Sequence, residues 1–361
     1  MDTAEILTEV HGQIGCITLN RPKALNALSL GMVRGLHAAL RQWEADPEVL
    51  AIAIRGSNKE GPFGAFCAGG DIRFLYQAAK QGDPRVEDFF TEEYILNHLT
   101  HHLKKPYIAF MDGVVMGGGM GISQGASLRI VTERTRMAMP ETGIGLFPDV
   151  GGGYFLSRCP GHAGEWLALT GETINAGDAV AVKLADVVLP SDQLPALWDA
   201  LGAQTFADGA AVERWIAAQG IAASADHASD MARINRYFSL PDVPAIIAAL
   251  EAAEGAWEQA TAALLRQRSP LMLYVALEQI RRARGMTVAE DLRMERDLMR
   301  HCFHLRPGQS ETLEGVRALA VDKDRKPQWN PARIEAVDPQ LVQAFFASPW
   351  PQALHPLAGL A

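Results

Sequence analysis

Two carboxylates, Glu141 and Asp149, stand eight positions apart in a segment rich in glycine and proline. Gly143, Gly145 and Pro148 lie between them and favour a chain that turns back, which would bring both acids to one pocket. Burial raises the pKa of a carboxyl group, and two neighbouring carboxylates push their pKa values apart. The pair is therefore suited to supply one acid and one base near neutral pH.

A purely structural interpretation of the two acids is also open. Asp149 precedes a glycine-rich segment and can cap a helix there, while Glu141 follows Pro140 and can be an ordinary acid of a first helical turn. From these residues alone the structural interpretation is favoured. The catalytic interpretation depends on the wider pattern of motifs.

Three glycine-rich segments, at 66–73, 112–125 and 147–155, invite a functional interpretation. Each follows an extended run and leads into a candidate helix, so each is either a tight turn or a place where backbone N–H groups meet an anion. The dinucleotide fingerprint fails because Ile122 stands where its third glycine is required, and no phosphate-loop motif occurs. Nucleotide binding is therefore not expected.

The second of these segments contains the pattern Gly-x-Ser-x-Gly around Ser123. A serine nucleophile of this kind needs a strand directly before it and a helix directly after it. Here glycines precede Ser123 and a β-branched run follows, so we interpret the match as chance.

The elements that must position these residues form two regions. Short β-rich runs separated by glycine clusters and helical stretches fill residues 13–189, which indicates an α/β fold. Beyond Pro190 apolar residues recur at helical spacing, as in 244–265, 271–284 and 288–303. We predict an α/β core at 1–195 and a helical C-terminal region at 196–361.

Composition and charge restrict the classes of function. A net charge of -9 over 361 residues argues against a nucleic-acid partner, because phosphate binding needs clustered Lys and Arg. The N-terminal residues lack a signal-peptide pattern and no apolar stretch reaches membrane-spanning length, so we expect a cytoplasmic protein without membrane contact. The four cysteines form no metal-binding pattern, so we expect no metal.

Four ordered motifs, at 20–28, 66–72, 116–121 and 139–156, resemble those of the crotonase superfamily. The resemblance implies a crotonase-like spiral of ββα turns with a helical C-terminal region and an acyl-CoA substrate. Coenzyme A is then part of the substrate, and no cofactor is expected. It also implies an oxyanion hole made by the backbone N–H groups of Ala68 and Gly118, with Gly118 also contacting substrate. Each such donor is typically worth about 3 kcal/mol in the transition state.

The same resemblance implies that coenzyme A binds along the first motif and beside the second. The contacts then fall on Lys23, Ala24, Leu25 and Asp71. Lys23 equally fits a solvated surface lysine. Superfamily members commonly form trimers, so a homo-oligomer is implied without a defined number of copies.

The choice of reaction depends on which acids are present. Enoyl-CoA hydratases of the superfamily carry a glutamate three residues after the oxyanion glycine, where this chain has Gly121. The chain instead pairs Glu141 with Asp149, as is typical of the 3-hydroxyisobutyryl-CoA hydrolase branch. The segment 314–331 also resembles that branch, and Glu93 matches its acid near the hydroxyacyl end.

The resemblance therefore implies hydrolysis of 3-hydroxyisobutyryl-CoA to 3-hydroxyisobutyrate and free CoA, as in valine catabolism. Glu141 would act as a nucleophile or by activating water, and Asp149 would support proton transfer and orient the substrate hydroxyl. Two alternatives stay open. One is an enoyl-CoA hydratase or isomerase that uses Glu141 alone, and the other is a weakly catalytic acyl-CoA binding protein.

Overall fold

The computed structural model describes residues 4–226 and 230–361. Their strands are β1 (Ile6–His11), β2 (Ile14–Leu19), β3 (Ala51–Arg55), β4 (Ser57–Asn58), β5 (Gly61–Pro62), β6 (Tyr107–Met111), β7 (Val114–Met116), β8 (Leu128–Val131), β9 (Arg136–Ala138) and β10 (Val187–Val188). Their α-helices are α1 (Leu30–Ala45), α2 (Ile72–Gln81), α3 (Arg85–His102), α4 (Gly118–Gln124), α5 (Gly152–Leu156), α6 (Ala163–Thr170), α7 (Ala176–Ala181), α8 (Leu194–Ala203), α9 (Gly209–Ala217), α10 (Met231–Phe238), α11 (Val243–Glu251), α12 (Ala256–Leu265), α13 (Pro270–Ala283), α14 (Val288–His304), α15 (Glu311–Val316) and α16 (Pro339–Phe345).

The main sheet has the strand order β1-β2-β3-β6-β8-β10. Strand β1 pairs antiparallel with β2, and the remaining neighbours pair in parallel. The central strands β3 and β6 are apolar over most of their length and buried on both faces, as parallel strands covered by helices usually are. A small parallel pair, β7 with β9, lies outside this sheet.

Contacts between Cα atoms divide the described residues into two compact units. The first unit, made of 4–70, 95–138 and 173–226, contains the main sheet and the β7–β9 pair, and its Trp198 of α8 packs against Phe110 of β6. The second unit, made of 71–94, 139–172 and 230–361, is largely helical, and its helix α13 packs on α5 and α6.

The predicted elements agree well with the structure, while the predicted division of the chain differs from it. The runs expected to be strands are β2, β3, β6, β8 and β9, and the helical stretch expected at 244–265 is two helices, α11 and α12. The compact units do not follow a boundary between 195 and 196, because 139–172 groups with the C-terminal helices and 173–226 with the sheet. One contact that ties 139–172 to those helices is the Ser269 N–H, which donates to the Thr142 carbonyl at 2.9 Å.

Within the described ranges, none of the helices combines the length and the apolar character that crossing a bilayer requires.

Candidate active site

In the first unit, one buried amide organises the loop that carries Ala68. The Asn26 side chain donates to the carbonyls of Ser57, Ala65 and Phe66 at 2.8, 3.0 and 3.0 Å. Its own backbone has a positive φ of 56°. One buried side chain therefore satisfies three backbone carbonyls and joins the turn at Asn26 to the segments at 57 and 65–66. The sequence interpretation assigned Asn26 no role.

The structure does not support Ala68 as a free oxyanion donor. Its N–H donates to the Leu25 carbonyl at 3.0 Å, so the hydrogen is already engaged. The reason is local, because Leu25 has a positive φ of 49° in the turn that follows a short 3₁₀ helix at Pro22–Ala24. Ala68 therefore joins this turn to the loop.

The predicted oxyanion donor Gly118 follows a glycine with an unusual backbone conformation. Gly117 precedes it with φ 48° and ψ −120°, a conformation that glycine tolerates, and Gly118 begins α4. A Cβ on Gly69 would lie 3.7 Å from the Gly118 nitrogen, so the two glycine segments are neighbours. Among the described residues we find no acceptor for the N–H of Gly118 or of Gly70. Gly70 therefore replaces Ala68 as the donor candidate of its loop.

Ser123 has no features of a nucleophile. It lies within α4, is fully buried, and its hydroxyl donates to the Gly119 carbonyl at 2.8 Å. This is the back-bonding of a serine inside a helix.

In the second unit, Glu141 begins a 3₁₀ turn that ends in Gly145. An ordinary first-turn acid would face water, but Glu141 is only 6% exposed. Its Oε2 atom has no hydrogen-bond partner within the described residues. Burial raises the pKa of this carboxyl well above its usual range, and the nearby charge of Asp149 raises it further. Glu141 is thus a desolvated carboxyl with an oxygen available for chemistry.

Asp149 is also buried, and its side chain does not cap α5. Instead it accepts a hydrogen bond from the Tyr94 hydroxyl at 2.9 Å. Burial raises the pKa of Asp149 to about 7, while the Tyr94 hydrogen bond works in the opposite direction. A carboxyl that titrates near neutrality is suited to general acid–base work.

Glu93 is the third acid of this cluster. It is 2% exposed, its Oε1 atom has no partner among the described residues, and burial together with the Asp149 charge raises its pKa well above the usual value. The structure therefore brings together Glu93, Glu141 and Asp149, as the sequence analysis expected. The sequence analysis did not predict a role for Tyr94. Its position directly after Glu93 in the chain was the one signal that could have indicated it.

The predicted coenzyme A contacts receive no direct support. Lys23 and Leu25 are exposed and Ala24 is half-buried, which suits a ligand and a bare surface equally. Asp71 accepts a hydrogen bond from the Phe74 N–H at 3.1 Å and caps α2. These contacts stay predictions, and the geometry gives Asp71 a structural role.

Comparison with known proteins gives one consistent picture. Residues 14–346 match the family model described as enoyl-CoA hydratase/isomerase. The chain is 40% identical over 353 residues to a mitochondrial 3-hydroxyisobutyryl-CoA hydrolase of Rattus norvegicus, covering 96% of this chain and 90% of the relative.

Two solved structures resemble it at 36% identity and a TM-score of 0.87. One is a carnitinyl-CoA dehydratase from Mycobacterium thermoresistibile, with 96% of this chain and 97% of that chain covered. The other is an enoyl-CoA hydratase from Rhodobacter sphaeroides, with 99% and 100% covered. The names of these relatives span hydrolysis, dehydration and hydration, so the reaction must be argued from the residues.

Proposed function

The chain belongs to the enoyl-CoA hydratase/isomerase family, and on that premise we propose that it hydrolyses an acyl-CoA thioester, with 3-hydroxyisobutyryl-CoA as the substrate. The observation that carries this proposal is the cluster of buried acids in the second unit, above all the electrostatically coupled carboxyls of Glu141 and Asp149. The name of the rat relative supports the same substrate, and we propose a role in valine catabolism for this chain.

The acids also argue against hydration as the main reaction. Position 121, where the hydratases resembled in the sequence analysis have a second glutamate, is a glycine inside α4. A hydratase must activate water and protonate carbon, and two separate carboxyls do this far better than one. Asp149 has a different task in our proposal, because its pairing with the Tyr94 hydroxyl holds it in one orientation.

In the proposed reaction Glu141 attacks the thioester carbon, either directly or through a water that it deprotonates. A carbon–oxygen bond forms, the carbon–sulfur bond breaks, and coenzyme A leaves as a thiolate that takes up a proton. By the direct route water then hydrolyses the glutamyl anhydride. Asp149 supports the proton transfers, Glu93 and Asp149 orient the 3-hydroxyl, and the Gly118 N–H stabilises the oxyanion.

We further propose that the reaction needs no cofactor, since coenzyme A is part of the substrate. The expected result is that thiol release continues unchanged after dialysis against a chelator. A cytoplasmic location and a homo-oligomer also stay predictions. Fractionation of cells tests the first, for which the relatives named mitochondrial offer no support, and sedimentation of the purified protein tests the second.

The reaction itself is tested by incubating the protein with 3-hydroxyisobutyryl-CoA and, separately, with crotonyl-CoA. A thiol-reactive dye reports free coenzyme A, and ultraviolet absorbance reports the conjugated double bond. We expect thiol release from the first substrate. Loss of the double bond from the second without thiol release would favour a hydratase, and turnover of neither would favour an acyl-CoA binding protein.

A further inference from the structure

The backbone that follows Asp149 is held by two fully buried carboxylates of α14. Glu295 accepts hydrogen bonds from the N–H groups of Gly151 and Gly153 at 2.7 and 2.9 Å, and Asp291 accepts one from Tyr154 at 2.7 Å. The chain positions joined in this way are 137 to 144 residues apart. Neither carboxylate has a place in the reaction as proposed above.

A third buried side chain completes this arrangement. Gln279 of α13 donates its amide to the Pro148 carbonyl at 2.6 Å and to the Glu295 carboxylate at 3.0 Å. The residues on both sides of Asp149 are therefore tied to the same pair of helices. None of these hydrogen bonds uses the Asp149 side chain, which accepts from the Tyr94 hydroxyl.

The segment held in this way is strained. Val150, directly after Asp149, has a positive φ of 57°. A β-branched residue rarely adopts this conformation, and it persists only where the surroundings enforce it. Placing a carboxylate in a dry interior is also costly unless several donors satisfy it, as three N–H groups satisfy Glu295. Apolar residues at these positions would fill the interior at a lower cost in free energy.

We propose that Glu295 and Gln279 are positioning residues. Their hydrogen bonds to the Pro148–Gly153 backbone hold the Asp149 carboxyl in place. The inference rests on the proposed function, in which Asp149 takes part in the reaction. It also assigns a function to the helical C-terminal region within the second unit, because α13 carries Gln279 and α14 carries Glu295.

The test compares Glu295→Gln, which replaces one of the two accepting oxygens with an amide that cannot accept, with Gln279→Met, which removes the two hydrogen bonds that Gln279 donates. Both variants should lower kcat about 10-fold to 100-fold with a smaller change in KM, because a misplaced group costs mainly transition-state stabilisation. Asp149, Asp291 and Tyr94 are titratable groups that interact with Glu295, and burial together with the Asp291 and Asp149 charges raises the pKa of Glu295 well above its usual range.

Tyr274→Phe is the matched control, because this side chain lies on the same helix as Gln279 and donates its hydroxyl to the Ile334 carbonyl at 3.0 Å instead of to the residues next to Asp149. It should lower thermal stability while keeping kcat per folded molecule. If Glu295→Gln and Gln279→Met behave like this control, the residues are merely structural and the proposal is wrong. Failure of the wild-type protein to release thiol would instead overturn the proposed function.

Discussion

At the scale of single residues, the site is defined by how far its acids are removed from water. Glu93, Glu141 and Asp149 are all buried, and two of them retain an oxygen without a hydrogen-bond partner among the described residues. Such placement costs free energy in the folded state. The cost is unexplained by packing and is expected where a polar substrate or water completes the hydrogen bonding.

The pKa of Asp149 makes this cost measurable. Its folded value of about 7 lies above its ordinary value of 3.8, so the folded protein binds more protons than the unfolded chain between these pH values. The free energy of unfolding therefore falls as pH rises through this window. Asp149→Asn removes the penalty, and we expect its Tm advantage over the wild type to be larger at pH 8 than at pH 5, as scanning calorimetry would record. An advantage that stays constant or shrinks with pH would contradict the burial argument.

Tyr94→Phe tests the Asp149 carboxyl by changing its hydrogen-bond partner. The substitution keeps the ring but removes the hydroxyl that stabilises ionised Asp149, so the pKa of Asp149 should rise further. We expect the acidic limb of the rate profile to move to higher pH and the rate at neutral pH to fall about tenfold.

Tyr107→Phe is the control for this change, because that buried hydroxyl donates to the Ile122 carbonyl at 3.0 Å instead of to an acid. It should lower stability by about 1 kcal/mol without moving the pH limb. Equal pH profiles for the two variants would show that Tyr94 does not act through Asp149.

At this scale the sequence predicted the acids better than it predicted their partners. The three acids Glu93, Glu141 and Asp149 stand in recognisable motifs. In contrast, Glu295 and Gln279 stand in amphipathic helices, where a polar residue is usually expected to be exposed to solvent. Ala68 was misassigned because the pattern of residue types does not reveal which N–H groups the turn at Leu25 has already engaged.

At the scale of elements, the turn between Glu141 and Asp149 sets the geometry of the pair. Gly145 ends the 3₁₀ turn with φ 71°, and a Cβ at this position would lie 2.1 Å from the Glu311 carbonyl oxygen. Both the left-handed conformation and the close approach exclude a side chain. The glycines that first suggested a returning chain are therefore required by its packing against α15.

Gly145→Ala should therefore disrupt the turn. We expect a loss of stability of about 3 kcal/mol or more, since strain and a backbone clash add together, with a matching loss of thiol release. Denaturant unfolding and the thiol assay measure the two effects.

Gly308→Ala provides the comparison, because Gly308 has a similar φ of 76° but open space around its Cβ position. It should cost only about 1 kcal/mol, the strain of the left-handed conformation alone, and keep activity. Equal effects of the two substitutions would mean that the Gly145 contact is unimportant.

The elements themselves were largely predictable. Parallel strands buried on both faces give apolar runs that are easily recognised, and α13 and α14 follow the helical period closely. The break between α11 and α12 was missed because apolar residues continue at helical spacing across it. A short interruption without proline gives a weak signal.

At the scale of the whole molecule, the crotonase fold expected from the motifs is confirmed by the solved structures that match nearly the full chain. The linear division of the chain into a core and an appendage could not anticipate the compact units, because segments far apart in sequence contribute to each. Hydrogen bonds such as that from Gly153 to Glu295, 142 positions apart, leave no trace in local patterns. Helices α13 and α14 of the C-terminal region therefore hold the backbone on both sides of Asp149.

The central claim is that Glu141 carries out the chemistry, and the most direct measurement is the rate of thiol release from 3-hydroxyisobutyryl-CoA by Glu141→Gln and by the wild type under single-turnover conditions. Circular dichroism and substrate binding would establish that the variant is folded and loaded. We predict that the rate falls about a hundredfold or more while substrate still binds. A variant that binds substrate and releases thiol at nearly the wild-type rate would contradict the account.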